Sequence, residues 1–420
     1  MISALNVTLI VLALVFAYTW FGYPVLLALL AEHAPPPSRQ PQTDLPKDSD
    51  LPHVNIVIAA HNEAQIIAQR IHNLQALDYP PHKISVYLGT DGCTDTTASI
   101  AQEVAAKDDH IQVMEFSQNR GKVTVLREMV SHIRNSANAT SPSLLVFSDA
   151  NTMFAHDAIL HLVKSFSDPR VGGVCGRLIF TNTPSEADNA GQALDNPAEE
   201  GLYWHLETKL KTWESALDSC LGANGAIYAI RPSLFWESIP VNTIVDDFVI
   251  GMKVREQGYH MLYDPSAIAT EALPDVGDEW VRRVRIGAGD YQALGFCKAC
   301  LAPRFGVFAW AFLSHKVLRW VTPHLVIVMG CISYPQCAFA YGNGRAFLDT
   351  IPASAVATLL TLLLIAGQTG KQLRKMGQTG RIAHLCGACD HFITMHVALF
   401  AGWIRFCSGN MSGTWKRTPR

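Results

Sequence analysis

Between residues 52 and 275, short apolar runs alternate with segments of helical period, and the runs repeatedly end on polar residues. This alternation constrains the chain more than any other feature, because strands separated by helices are the pattern of a wound α/β sheet. "VNIVIAA", "KISVYLGT", "IQVMEF" and "SLLVFSDA" read as strands. "NEAQIIAQRIHNLQAL", "TDTTASIAQEVAA" and "KVTVLREMVSHIRN" read as helices, the second opened by a Thr or Asp cap. In such sheets, ligands bind beyond the carboxyl ends of the strands.

Those ends are rich in chemistry. "HNEA" follows the first strand and "TDGCTD" the second; the loop "NRGK" comes next, and then "SDAN". A single strand ending in Asp, as in "LLVFSDAN" (144–151), is a common turn start. Four polar endings facing one edge of one sheet point instead to a nucleotide diphosphate. Such a ligand needs a carboxylate to accept from a base N–H, a Lys near phosphate, and an Asp to bind a divalent cation through oxygen.

The bulk numbers exclude one class of partner. With 36 acidic and 33 basic residues among 420, the chain lacks the basic stripe of a nucleic-acid binder. Its mean hydropathy of +0.14 is high for a soluble enzyme, and the apolar residues gather at the ends. Residues 1–31 read as an N-terminal transmembrane helix kinked at Pro24, since Ile2 to Ala31 holds no Lys, Arg or Asp. A cleaved leader would have a basic start and a shorter apolar run. Residues 32–51 read as a proline-stiffened linker. Arg39 and Lys47 in that linker, against an N-terminus without basic side chains, place the following domain on the cytoplasmic side of the cell membrane.

Residues 276–321 are expected to form acceptor-side and interfacial helices, the stretch 306–321 lying in the interface because it mixes aromatics with His315, Lys316 and Arg319. Within the membrane segments 322–408, 322–341 and 351–368 read as a pair of spans. The run 391–406 either spans or lies on the surface, and the basic tail 409–420 favours the surface. Among ten cysteines, Cys297 with Cys300 and Cys386 with Cys389 form two close pairs. Zinc ribbons set such pairs much nearer to each other, so reduced structural thiols are the expectation.

Three later motifs bear on a site. "CLGANGAIYAIRP" (220–232), with Gly222 and Asn224, allows close approach of backbone to a sugar, or simply turns between helix and strand. "TIVDDFVIG" puts Asp246 and Asp247 at the start of a helix, where capping explains one of them. "EWVRRVRIGAGDYQAL" (279–294) carries Arg282, Arg285 and Gln292 on an amphipathic helix, whose arginines face either phospholipid headgroups or a diphosphate.

In this order the motifs resemble those of the inverting glycosyltransferases of family 2, which have the GT-A fold and include cellulose, chitin and hyaluronan synthases and many bacterial exopolysaccharide enzymes. The resemblance runs from about Pro52 to Leu294. It implies that Glu63 and Asp91 hold the uridine of a UDP-sugar, that Lys122 lies near the donor, and that Asp149 binds the diphosphate and its Mg2+ or Mn2+. Asn151 stands at the second Asp of the family's DxD motif, so a neutral amide oxygen replaces one charged metal ligand, and the metal leans more on diphosphate and water. Asp247 takes the place of the general base in the family's Thr-Glu-Asp. In the family's Gln-x-x-Arg-Trp, Arg282 stands for the Gln and Arg285 matches the Arg, while Ile286 replaces the Trp and removes an acceptor-stacking surface.

The function so implied is a membrane-integral inverting transferase of hexosyl type. It would take a nucleotide-sugar donor to a lipid-linked or growing polysaccharide acceptor of the cell envelope, among membrane lipids and without nucleic acid. Two alternatives stand beside it. One is a processive synthase that also secretes its polymer; the other is a catalytically silent nucleotide-binding scaffold, which would need none of Asp149, Asp247 and Arg285.

Overall fold

The structure, a computed structural model, describes residues 4–34, 48, 51–136, 142–181, 199–272, 276–342, 350–378, 380–409 and 411, with backbone alone for 199–203 and 276–278. Most of the expected linker, with Arg39 and Lys47, and most of the basic tail lie outside the described residues.

Among the described residues the central unit has eight strands: β1 (His53–Ala60), β2 (Ile84–Asp91), β3 (Ile111–Phe116), β4 (Ser143–Asp149), β5 (Met153–Phe154), β6 (Val171–Thr181), β7 (Tyr228–Ile230) and β8 (His260–Ala272). The helices, in chain order, are α1 (Ala4–Ala17), α2 (Tyr23–His33), α3 (Ile67–Gln75), α4 (Thr97–Ala105), α5 (Lys122–Asn135), α6 (Ala158–Lys164), α7 (Glu199–Leu217), α8 (Asp246–Glu256), α9 (Val276–Cys297), α10 (Val307–Ala311), α11 (Leu318–Gly342), α12 (Ile351–Lys375) and α13 (Arg381–Cys407).

The strands form one mixed sheet in the order β3-β2-β1-β4-β7-β6-β8-β5. Its first four strands are parallel, and the register sets their ends side by side: Ala59 pairs with Asp149, Ala60 with Thr90, and Asp91 with Phe116. The four polar endings therefore do share one edge. β7 then runs antiparallel to both β4 and β6, while β6 and β8 are parallel with two register shifts.

Alternation along the central strands explains why the sheet is covered on both faces. Val54, Ile56 and Ile58 pack with α3, α4 and α6, whereas Val57 and Ala59 face the core shared with α5 and α8. Leu144 and Val146 follow the first set, and Leu145 and Phe147 the second. Helix α5 covers the span expected from the sequence, 122–135. Helix α3 begins later than expected, at Ile67, because Asn62 takes a left-handed turn (φ 57°) and frees "HNEA" as a loop.

Among the described residues, four helical runs are long and apolar enough to cross a membrane: Ala4–His33, Val307–Gly342, Ile351–Lys375 and Arg381–Cys407. The first joins α1 to α2 through a π-turn at Tyr18–Gly22, just before Pro24. The stretch expected to lie in the interface is continuous with the long apolar helix that follows it, through a π-turn at Phe312–Val317. Its charges made it look interfacial, but His315, Lys316 and Arg319 all find carboxylates on α7. The run around 391–406 extends back to Arg381 and is long enough to span. It packs tightly on α9, where a Cβ at Gly402 would meet the Ala288 nitrogen at 2.7 Å. All ten cysteines are free thiols.

Candidate active site

The carboxyl edge of the sheet opens into a cavity of about 940 Å3, walled on its other sides by α8, α9 and the apolar helices. Asp149 ends β4 there. Its Oδ1 accepts a hydrogen bond from Lys122 Nζ at 2.6 Å, and the same ammonium lies 3.7 Å from Asp246 Oδ2. Burial works against the charge of Lys122, yet Asp149, Asp246 and Asp247 outweigh it and hold the group well above the usual lysine range.

Asp246 and Asp247 open α8, where the exposed helix N–H groups favour acidic residues. Their roles differ. Asp246 is 5% exposed, and its Oδ2 has no hydrogen-bond partner among the described residues. Burial, with Asp247 and Asp149 nearby, pushes it up to about 6 against the pull of Lys122. Asp247 is less enclosed and lines the cavity; burial raises it too, again opposed by Lys122.

Gly225 is what lets these carboxylates meet. A Cβ there would lie 2.9 Å from Asp149 Oδ2 and 3.5 Å from Asp247 Oδ2, so any side chain would sit between them. The loop is held by Ser148, which donates to the Ala226 carbonyl at 2.8 Å, and Ser148 accepts in turn from the buried Arg70 at 2.9 Å. Asn224, also lining the cavity, spends its amide on Gly176 O (2.9 Å) and the Ile227 N–H (3.2 Å).

Glu63, Lys122, Asp149, Asn151, Asn224, Asp246, Asp247, Arg282 and Arg285 all line this one cavity. Three other candidates stand behind it. Asp91 is fully buried, with Oδ1 and Oδ2 accepting the backbone N–H groups of Arg120 (2.9 Å) and Gly121 (2.8 Å). It braces the loop that delivers Lys122. Gln292 is 7% exposed; it accepts from the Ile244 N–H at 3.1 Å and donates to Asn242 O at 3.1 Å, fixing the approach to the Asp pair. Gly222, at φ +73°, makes room for the Phe248 ring, which a Cβ would meet at 2.4 Å. Its close approach is to α8 and not to the cavity.

Sequence reading missed Gly225, Arg70 and Asp290. Asp290 lines the cavity, and burial raises its carboxyl to about 7. Its spacing was a usable signal: Arg282, Ile286 and Asp290 recur every four residues, on one face of α9.

The matching family model is Glycosyl transferase family 2, over residues 55–229. Residues 55–229 thus match the family 2 glycosyltransferase domain. The chain is 24% identical over 281 residues to the poly-beta-1,6-N-acetyl-D-glucosamine synthase of Staphylococcus aureus, covering 65% of this chain and 63% of that one. It is 26% identical over 292 residues to the beta-monoglucosyldiacylglycerol synthase of a Nostoc species, covering 66% of this chain and 58% of that one. The chain therefore spans less than two thirds of the length of these relatives. Among solved structures, a mannosyltransferase from Pyrobaculum calidifontis in complex with GDP-Man and Mn2+ superposes with a TM-score of 0.64 at 22% identity, over 96% of this chain and 99% of that one. The likeness is one of fold, and the fold is GT-A.

Proposed function

We propose that this protein is a membrane-integral inverting glycosyltransferase that moves a hexosyl group from a nucleotide-diphosphate donor to a lipid-linked or growing cell-envelope glycan. The observation that carries this reading is the meeting of Asp149, Lys122 and Asp247 around Gly225, in a cavity walled on one side by helices long enough to cross a membrane. In the reaction, the Asp247 carboxylate takes the proton of the acceptor hydroxyl. The freed oxygen bonds to the anomeric carbon from the face opposite the donor diphosphate, and the breaking bond leaves its electron pair on that diphosphate. Asp91 and Gly121 set the loop that carries Lys122, and Glu63 lies at the end of β1 where the donor's base would sit. Arg285 supplies a guanidinium fork suited to phosphate oxygens.

Asp149 and the Asn151 amide fit a divalent cation of the Mg2+ or Mn2+ kind. Among the described residues no cluster of three or more His, Cys, Asp or Glu side chains is placed to hold a metal. A cation there must share its coordination with phosphate oxygens and water, as Mg2+ commonly does. When bound, it neutralises charge developing on the leaving diphosphate.

The similarity to a polymer-forming synthase favours a second reading, processive synthesis. Product length separates the two: single additions for the first, a ladder of long chains for the second. The test of the function itself is a panel of nucleotide sugars given to the purified full chain with Mg2+ or Mn2+, following release of nucleoside diphosphate. One donor class should be consumed; no release from any donor would overturn the proposal.

A further inference from the structure

One wall of the cavity carries polar groups that the transfer chemistry does not use. Arg319, in the first turn of α11, is 8% exposed, and its guanidinium stands 5.0 Å from the centre of the Trp20 ring. Its Nη1 lies 3.5 Å from Glu207 Oε2, but that carboxylate is already engaged by Lys316 at 2.7 Å and His315 at 3.1 Å. The Nε and Nη2 groups of Arg319 have no hydrogen-bond partner among the described residues. The same is true of the indole N–H of Trp20.

The Trp20 ring is also 5.3 Å from the imidazole of His396. His396 Nδ1 donates to the Phe392 carbonyl at 2.7 Å, which leaves Nε2 as a lone-pair acceptor, again without a partner. Buried polar atoms of folded proteins nearly always find partners. Here three donors and one acceptor gather on neighbouring side chains, all lining one cavity.

The composition of this cluster defines its ligand. Three N–H groups, two of them on a permanently charged fork, call for an oxyanion. The adjacent lone pair suits a hydroxyl on the same ligand, as in a singly protonated phosphate ester. The surroundings define what bears that phosphate. Trp20, Phe392, Met395 and Leu399 form an apolar wall next to the cluster, and they come from two of the helical runs long enough to cross a membrane.

We propose that Trp20, Arg319 and His396 seat the phosphate headgroup of a membrane lipid, and that this lipid carries the acceptor to Asp247. The unpartnered atoms are buried on side chains that line the cavity, so the seat requires the Arg319 side chain to rotate and turn its N–H groups toward the ligand. Only the acceptor role rests on the glycosyltransferase reading; the seat itself does not.

The test uses the full chain purified in dodecyl maltoside, with hexadecyl phosphate as probe and hexadecanol and inorganic phosphate as comparisons, followed by calorimetric titration. Hexadecyl phosphate should bind, hexadecanol should not, and inorganic phosphate should bind at least about tenfold more weakly. Trp20→Phe keeps the ring and removes the N–H; Arg319→Lys keeps the charge beside Glu207 and removes the fork. Each should weaken hexadecyl phosphate binding about tenfold or more, the size expected for a lost hydrogen bond to a charged group. Nucleoside diphosphate binding should stay unchanged in both.

Equal binding of inorganic and hexadecyl phosphate would overturn the lipid assignment. Parallel loss of nucleoside diphosphate binding would show that the donor's own phosphates occupy the cluster, and would overturn it too. So would hexadecyl phosphate binding that neither variant changes. A wild-type chain that binds hexadecyl phosphate through these residues but turns over no nucleotide sugar leaves the seat standing and sinks the transferase reading alone.

Discussion

Asp247→Asn separates the proposed role as base from everything else the residue does. The amide keeps the size of the side chain beside Gly225, where room is set by Asp149 Oδ2 and Asp247 Oδ2 at 2.9 Å and 3.5 Å from a would-be Cβ. It also keeps an oxygen for the first turn of α8. What it loses is the ability to take a proton near neutral pH. Removing a positioned general base costs about 10²–10⁴-fold in rate, equivalent to about 3–5 kcal/mol in the barrier. Donor affinity should not fall, because three carboxylates crowd the place where an anionic diphosphate must lie, and removing one lessens repulsion. The sign of the pH dependence follows from burial, which raises Asp247 from its ordinary value, while the residue works only when ionised. Wild-type kcat/KM should therefore fall on the acid side, at a higher pH than an exposed carboxylate would give. The assay is release of nucleoside diphosphate across pH, with donor affinity from calorimetry. A variant within about threefold of the wild-type rate would refute the assignment and move the role to Asp246.

Three further outcomes are expected. Chelation should stop turnover, and Asp149→Ala should weaken metal-dependent donor binding measured by calorimetry; full activity in excess chelator would remove the cation from the mechanism. Gly225→Ala should cut transfer by at least about tenfold while the protein stays folded by circular dichroism, because its methyl would sit 2.9 Å from Asp149 Oδ2. Asp290→Asn should stabilise the protein, and more so as pH rises. Burial lifts this carboxyl to about 7, so in the wild type the unfolded chain ionises first, and stability is lost as pH climbs from the ordinary carboxylate value through about 7. The advantage of the variant in thermal unfolding should grow by about 1–3 kcal/mol between about pH 5 and about pH 8.

The parallel half of the sheet was legible because β1, β2 and β4 are buried on both faces and the polar endings fall in one register. Ala59 opposite Asp149 and Ala60 opposite Thr90 are consequences of a pattern that local sequence carries. The short antiparallel β7, only Tyr228–Ile230, carries too few residues to announce itself. Partners distant in sequence hid the rest. Lys316 and Arg319 read as interfacial charges from the sequence, whereas Glu207, more than a hundred residues away, pairs with Lys316 and stands 3.5 Å from Arg319. Asp91 and Gln292 have the right chemistry for a ligand, yet buried backbone N–H groups claim them first. Gly225 lay inside a quoted motif, but which of its glycines faces the carboxylates is set by how α8 packs, and spacing along the chain does not encode that.

The most direct measurement is the anomeric configuration of the first product, read by proton NMR from its anomeric coupling constant before any equilibration. If Asp247 is the base of a single displacement, an α-configured donor must give a β-linked product and release one nucleoside diphosphate per linkage formed. A product that retains the donor's configuration would require a covalent or same-face route and would contradict the role given to Asp247.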